Sequence, residues 1–225
     1  MKGKLIVFEG TDGSGKATQA KLLFQRMFAR GLSCREIDFP RYGNPFAAPV
    51  ERYLRGALGN HPGDISAYAS STFFAVDRFA SYKEDWGSFY EAGGIVVANR
   101  YTTSNAVHQA PKLPASERLE YLDWLFDLEY HRLGLPAPDL VLYLDMPYEV
   151  SEKMLRHREQ ETGANADIHE QDGGYLRRCR EAARDIALRY GWNVVDCAAG
   201  DAPRLPDDIH RQVAALVKNT LGLSI

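Results

Sequence analysis

The stretch "LIVFEGTDGSGKATQ", residues 5–19, decides the fold. Four apolar residues run into a glycine-rich turn that ends on Lys16, and a helical pattern follows. Gly10, Gly15 and Lys16 fit the spacing G-x-x-x-x-G-K, and a strand before it with a helix after it is the context that spacing requires. Glycines let backbone N–H groups crowd an anion, and the helix N-terminus adds about half a positive charge. Gly10, Thr11, Asp12, Gly13, Ser14, Gly15 and Lys16, with Ala17 and Thr18 behind them, are therefore the candidate binding loop for ATP phosphates. The bland alternative is an ordinary glycine-rich strand-to-helix turn. One position departs from the pattern: Ala17 stands where a serine or threonine hydroxyl normally meets magnesium. Thr18 lies one residue further round the helix, rotated by about 100°, and does not substitute for it. Magnesium is then either absent or held by ATP oxygens and water with carboxylate help, which suits an ion that keeps several waters. Asp12 is the nearest helper, although Asp-Gly also favours turns on its own account.

Working outward, "LIVF" (5–8), "CREIDF" (34–39), "IVVA" (95–98), "LVLYL" (140–144) and "NVVDC" (193–197) read as five strands. Helical stretches separate them, which predicts a parallel sheet covered on both faces. Over Lys16–Arg30 the spacing puts Ala20, Leu23 and Met27 on one face, with Phe24 nearby, and Gly31 follows as the residue after the C-cap. The last helix, 206–221, carries Ile209, Val213, Leu216, Val217 and Leu221 on one stripe, with Gly222 after it. Between 155 and 175 the pattern lapses into a polar, glycine-containing stretch, either a plain surface excursion or a cover for a site.

Composition narrows the class. The chain has 225 residues, a length that fits one domain, and 45% apolar residues, enough to fill a core. A net charge of −3 gives no reason to expect a nucleic acid or an anionic membrane as partner. Cys34, Cys179 and Cys197 are odd in number and far apart, which points to reduced thiols in the cytoplasm. No apolar run approaches the ~20 residues of a membrane helix, and the four-residue run after "MKGK" is too short for a signal peptide.

A phosphate-binding loop leaves switches, motors and kinases open. No N-K-x-D guanine-reading stretch is present. "LVLYLD" ends on Asp145, where a motor-type ATPase holds its metal a second time, but Met146 replaces the expected glutamate. The other motifs discriminate further: "DFPRY" (38–42), "FFAVDR" (73–78), "VVANRYTTSNAVHQ" (96–109) and "PAPDLVLYLD" (136–145). Phe74 and Arg78 stand four apart, on one helix face. Arg100 stands at the C-terminal end of a strand, where open α/β sheets bind ligands.

With the loop, these motifs in this order resemble the thymidylate kinase family over nearly the whole chain. The resemblance implies an α/β P-loop NTP hydrolase-type three-layer fold, a five-stranded parallel sheet flanked by helices. It implies a single kinase domain, 1–225, with a lid insertion at about 155–172. It implies transfer of the γ-phosphate of ATP to dTMP, with Mg2+ accompanying the ATP, and a homodimer. Catalytic roles fall on Lys16, Asp12, Arg100, Arg156 and Arg158. Phe39 and Pro40 wall the acceptor site, Phe74 stacks on the thymine ring, and Arg78 reaches a base carbonyl. Arg100 grips the acceptor phosphate, and Asn105 reads the base edge with Ser104 and Gln109 close by. His108 stands where relatives usually carry an aromatic residue that rejects a 2′-hydroxyl. Gly13 replaces an arginine found in some relatives, which moves the extra cation to the lid. No side chain is expected to ligate the metal directly; Asp12 or Asn99 would act through water.

The chemistry is consistent with this. An anionic phosphate oxygen is the nucleophile, so no general base is needed and cations must cancel repulsion. Lys16 is expected to be an exposed cation for that purpose. Each residue also has a plainer reading: Phe74 as core, Arg78 as an ion-pair partner, Arg156 and Arg158 as a solvated helix face, His108 and His169 as hydrogen-bonding histidines. Two further readings stay open. His108, at the altered sugar gate, leaves a kinase for dUMP, a modified pyrimidine nucleotide or a deoxynucleoside; Ala17 and Asn99, the latter in place of the family's aspartate, leave a nucleotide-binding module without turnover.

Overall fold

In the computed structural model, residues 2–163 and 167–225 are described, the side chains of Arg158, Glu161 and Thr162 excepted. The chain runs β1 (Lys4–Glu9), α1 (Lys16–Ala29), β2 (Cys34–Asp38), α2 (Ala48–Leu54), α3 (Ala67–Ser81), α4 (Gly87–Glu91) and β3 (Ile95–Asn99). It continues with α5 (Thr102–Gln109), α6 (Arg118–Phe126), β4 (Leu140–Asp145), α7 (Tyr148–Thr162), α8 (Gly173–Arg189), β5 (Asn193–Asp196) and α9 (Pro206–Leu221). A two-residue hairpin, Ala198–Ala199 with Ala202–Pro203, precedes α9. Turns of π-helix extend α3 over Tyr82–Trp86 and α6 over Asp127–Arg132.

Five strands form one parallel sheet in the order β2-β3-β1-β4-β5. Their apolar runs are buried on both faces, so each face needs its own cover. On one side Ile6, Phe8, Val97, Leu142 and Leu144 pack against Ala20, Leu23 and Met27 of α1 and Ile209, Val213 and Val217 of α9. On the other, Leu5, Val7, Val96 and Ala98 pack against Trp86, Tyr90 and Tyr101. The result is helix, sheet, helix. As the sequence predicts, α1 ends with Gly31 in the left-handed region and α9 with Gly222 likewise.

The strand order places the site. The chain leaves β1 for β2 on one side, and β4 and β5 are added on the other, so the crevice opens beyond the carboxyl end of β1. Register brings the ends level: Phe8 pairs with Asn99 in β3, and Asp38 pairs with Asn99 from the other side. Glu9, buried at the end of β1, accepts from Gly10 N, Thr103 Oγ1 and Ser104 Oγ at 3.0, 2.8 and 2.7 Å. One carboxylate thus ties the phosphate loop to the start of α5.

Candidate active site

A cavity of about 380 Å³ lies at these strand ends. The loop after β1 forms its floor. Gly13 has φ 78°, and a Cβ there would lie 2.7 Å from the Ser151 carbonyl of α7. Glycine at this position lets α7 sit directly on the loop. Asp12, Gly13, Gly15, Lys16, Ala17 and Thr18 line the cavity, whereas Gly10, Thr11 and Ser14 lie behind that surface.

Lys16 is buried, not exposed as the sequence suggested; the loop folds around it. Its Nζ donates to the Gly10 and Thr11 carbonyls at 2.9 and 2.8 Å. Burial, then the nearby Arg100, pulls its pKa down to about 8. Arg100 adopts φ 66°, a left-handed backbone rare outside glycine, and its N–H donates to Phe8 O at 3.0 Å. Such strain costs on the order of 1–3 kcal/mol and concentrates at functional positions. The turn aims the guanidinium inward, where it donates to Asp12 Oδ1 and, at 3.1 Å, to His108 Nε2. Burial alone would raise the Asp12 carboxyl, but Arg100 and Lys16 outweigh it and hold it well below the usual range. Asp12 is therefore charged at any working pH.

The opposite wall comes from β2, α3 and α5. Phe39 and Pro40, joined by a cis peptide, line it together with Phe74, Arg78, Ser104, Asn105, His108 and Gln109. Phe74 meets Tyr53 edge-on, with ring centroids 6.2 Å apart. Arg78 is fully buried and held by Glu129, Nε to Oε2 at 2.7 Å and Nη2 to Oε1 at 2.5 Å. Its Nη1 makes a long 3.3 Å contact with Tyr101 O. The ion-pair reading of Arg78 and its place in the cavity wall therefore hold together. Asn105 Nδ2 donates to Ser71 O at 3.3 Å, and Gln109 Oε1 accepts from Ser70 Oγ at 2.8 Å.

Of the segment read as a lid, about 155–172, residues 164–166 lie outside the described residues. Arg156 does not line the cavity; it pairs with Glu152 one helical turn back, at 3.0 Å, and is largely exposed. An i,i+4 pair on a solvated face explains it. The Arg158 side chain lies outside the described residues. Asp167, His169 and Glu170 do reach the cavity. Burial, then Asp12 and Glu170, pushes Asp167 up to about 7. Asp145 faces elsewhere, held by Arg180 through bonds of 2.7 and 3.1 Å, which removes it as a second metal holder.

Oxygen donors suited to magnesium are present. Asn99 Oδ1 is buried without a partner among the described residues, while its Nδ2 donates to Asp38 Oδ1 at 2.7 Å. Asp38, Asn99 and Asp12 share the cavity wall. No cluster of three His, Cys, Asp or Glu side chains that could hold a metal occurs among the described residues. The set fits an ion that takes its other oxygens from phosphate and water.

Sequence reading missed Glu129, Glu9, Asp38 and Asp167. Asp38 sat in the quoted "DFPRY". Glu129 had no local signal, since its partner is 51 residues away.

Comparisons with known proteins point to one family. A family model described as thymidylate kinase matches residues 8–202. Thymidylate kinase of Mycobacterium tuberculosis H37Rv is 33% identical over 191 residues, covering 84% of this chain and 87% of that one. The probable thymidylate kinase of Thermococcus kodakarensis is 30% identical over 220 residues, 96% of this chain and 98% of that one. In fold, the thymidylate kinase of Candida albicans superposes with a TM-score of 0.68 at 20% identity, covering 97% of this chain and 92% of that one.

Proposed function

Because the chain belongs to the thymidylate kinase family, we infer that it acts as a nucleoside monophosphate kinase, moving the γ-phosphoryl group of ATP to dTMP to give dTDP and ADP. The observation that carries this reading is the placement of Lys16 and Arg100 in one cavity whose far wall is Phe74 and Arg78. Cations at the centre suit two phosphates; a flat ring with a donor beside it suits a pyrimidine.

Lys16 would leave the loop carbonyls for the outer phosphates of ATP, and Arg100 would hold the acceptor phosphate. Asp12, kept ionised, orients that guanidinium. Phe74 supplies the face of the base site, Arg78 and Asn105 the polar edge, and Phe39 and Pro40 the side wall. Magnesium, when bound with ATP, shields the charge that develops between the phosphates. Asp12 and Asn99 would hold it through water, with Ala17 contributing no ligand. The attacking phosphate oxygen is already anionic, so catalysis is positioning and charge balance.

The whole chain serves as one kinase domain, with about 155–172 as its lid. A homodimer would use the outer face of α3, where Phe46, Ala75, Val76, Phe79, Leu128 and Leu133 line an apolar groove; light scattering on the purified protein tests this. Three free cysteines fit a cytoplasmic setting. Among the described residues no helix is long and apolar enough to cross a membrane.

A panel of acceptors ranked by kcat/KM tests the assignment. dTMP is expected to lead, and no turnover of any nucleoside monophosphate would contradict it. A second reading, another pyrimidine deoxynucleotide as best acceptor, is favoured by His108. Arg100 only donates, so His108 Nε2 accepts, and its buried Nδ1 has no partner among the described residues.

A further inference from the structure

Just beyond the cavity stands a lysine held by neutral oxygens. Lys112 follows α5, and no ion pair within 4.0 Å is described for it among the described residues. Its Nζ instead donates to Tyr53 Oη, the Ile65 carbonyl and Ser70 Oγ, at 2.9, 3.0 and 3.1 Å. Three donors meet three acceptors. Burial pulls the Lys112 ammonium down to about 7; in that charged form it cannot accept, so Tyr53 Oη receives the bond and its own proton can point elsewhere. It points to His169 Nε2, 2.8 Å away. With Lys112 charged, the chain runs from Lys112 to Tyr53 to His169, and in the tautomer that completes it His169 Nε2 accepts from Tyr53 Oη.

His169 belongs to the 167–172 turn, which brings Asp167 and Glu170 to the cavity. Ile168 and His169 seat the turn. Ile168 is buried against Val50, Tyr53 and Leu54, and Ile168 N donates to Leu54 O at 3.1 Å. The His169 ring stacks on His108, centroids 5.6 Å apart and planes 8° from parallel, and His108 accepts from Arg100. Neither Lys112 nor Tyr53 lines the cavity. We propose that Lys112 and Tyr53 are positioning residues for phosphoryl transfer, acting through His169 to hold the 167–172 turn against the acceptor end of the cavity. The proposal rests on the kinase reading above for its catalytic consequence, but not for its structural one. Burial, then Lys112, lowers His169 to about 3, which keeps it the neutral acceptor that this chain requires.

The test is Tyr53→Phe, which keeps the ring against Phe74 and His169 and removes only the hydroxyl, beside Lys112→Met. Loss of one or two hydrogen bonds predicts amide exchange at 167–172 in the ligand-free protein faster by about five- to tenfold. It also predicts kcat/KM for dTMP lower by a similar factor, mainly through KM, with the thermal midpoint little changed. Because both residues serve one chain, the double variant should be no worse than Lys112→Met alone. Exchange and kcat/KM within twofold of the parent for Tyr53→Phe, or fully multiplicative effects, would overturn the proposal. If the parent turns over no dTMP, the kinase reading fails, and the exchange comparison still decides the relay.

Discussion

Glu129 grips the Arg78 guanidinium through two parallel bonds, 2.7 and 2.5 Å long, with both side chains almost fully removed from solvent. Thr102 Oγ1 donates to the same carboxylate at 2.7 Å. A buried pair of this kind is not evidence of large net stability, but removing one partner strands the other's charge. Glu129→Gln should therefore lower unfolding free energy by about 3 kcal/mol, read by urea denaturation. It should also raise KM for dTMP more than it lowers kcat, because Arg78 loses its fixed aim. A variant as stable as the parent would show that the charge is relieved some other way.

Lys16 carries the opposite lesson. Its folded pKa, about 8, lies below the ordinary 10.5. The unfolded chain thus holds the proton more tightly, and stability should rise with pH between about 8 and 10.5. Below 8 the burial penalty is fully present, worth roughly 3 kcal/mol. Lys16→Met should abolish turnover yet raise the melting temperature of the ligand-free protein at pH 7, and flatten that alkaline rise. Melting curves at pH 7 and pH 10 check both; a lower melting temperature would contradict the account.

Asp167 makes an acid-side prediction. Burial and two neighbouring carboxylates raise its pKa from 3.8 to about 7. The folded state then holds the proton that the unfolded chain releases, so its contribution is full below about 4 and lost as pH rises toward 7. Its Oδ1 accepts from the His169 and Glu170 amides at 2.8 and 3.0 Å, which an asparagine can also do. Asp167→Asn should leave the melting temperature unchanged at pH 4 and raise it at pH 8. Equal shifts at both pH values would refute the assignment.

Ala17 stands at the start of α1 on the cavity surface. Ala17→Ser restores a hydroxyl at the position that magnesium usually meets. The magnesium concentration for half-maximal rate should fall, by several-fold. An unchanged requirement would mean that this position does not face the metal.

Much of the frame was legible because it is periodic. All five strands begin at the residue that local pattern indicated or one before it, and α1 and α9 carry the expected buried stripes. The order β2-β3-β1-β4-β5 was not legible, because pairing partners lie far apart in sequence. For the same reason Glu129 and the Lys112–Tyr53–His169 chain left no signal. The site divides likewise. Loop and strand-end residues were placed by motif, since backbone geometry fixes them. Arg156 had two readings because helical periodicity gives a face but not what lies opposite it; in the fold its side chain pairs with Glu152. The burial of Lys16 reflects carbonyls that only the folded loop brings together.

The most direct measurement is to follow label from ATP carrying a radioactive γ-phosphate, with magnesium and dTMP present. The account predicts that the label appears in the β-phosphate of dTDP, in step with ADP, and only when all three components are supplied. Label recovered solely as inorganic phosphate, or retained in ATP while dTMP is present, would contradict it.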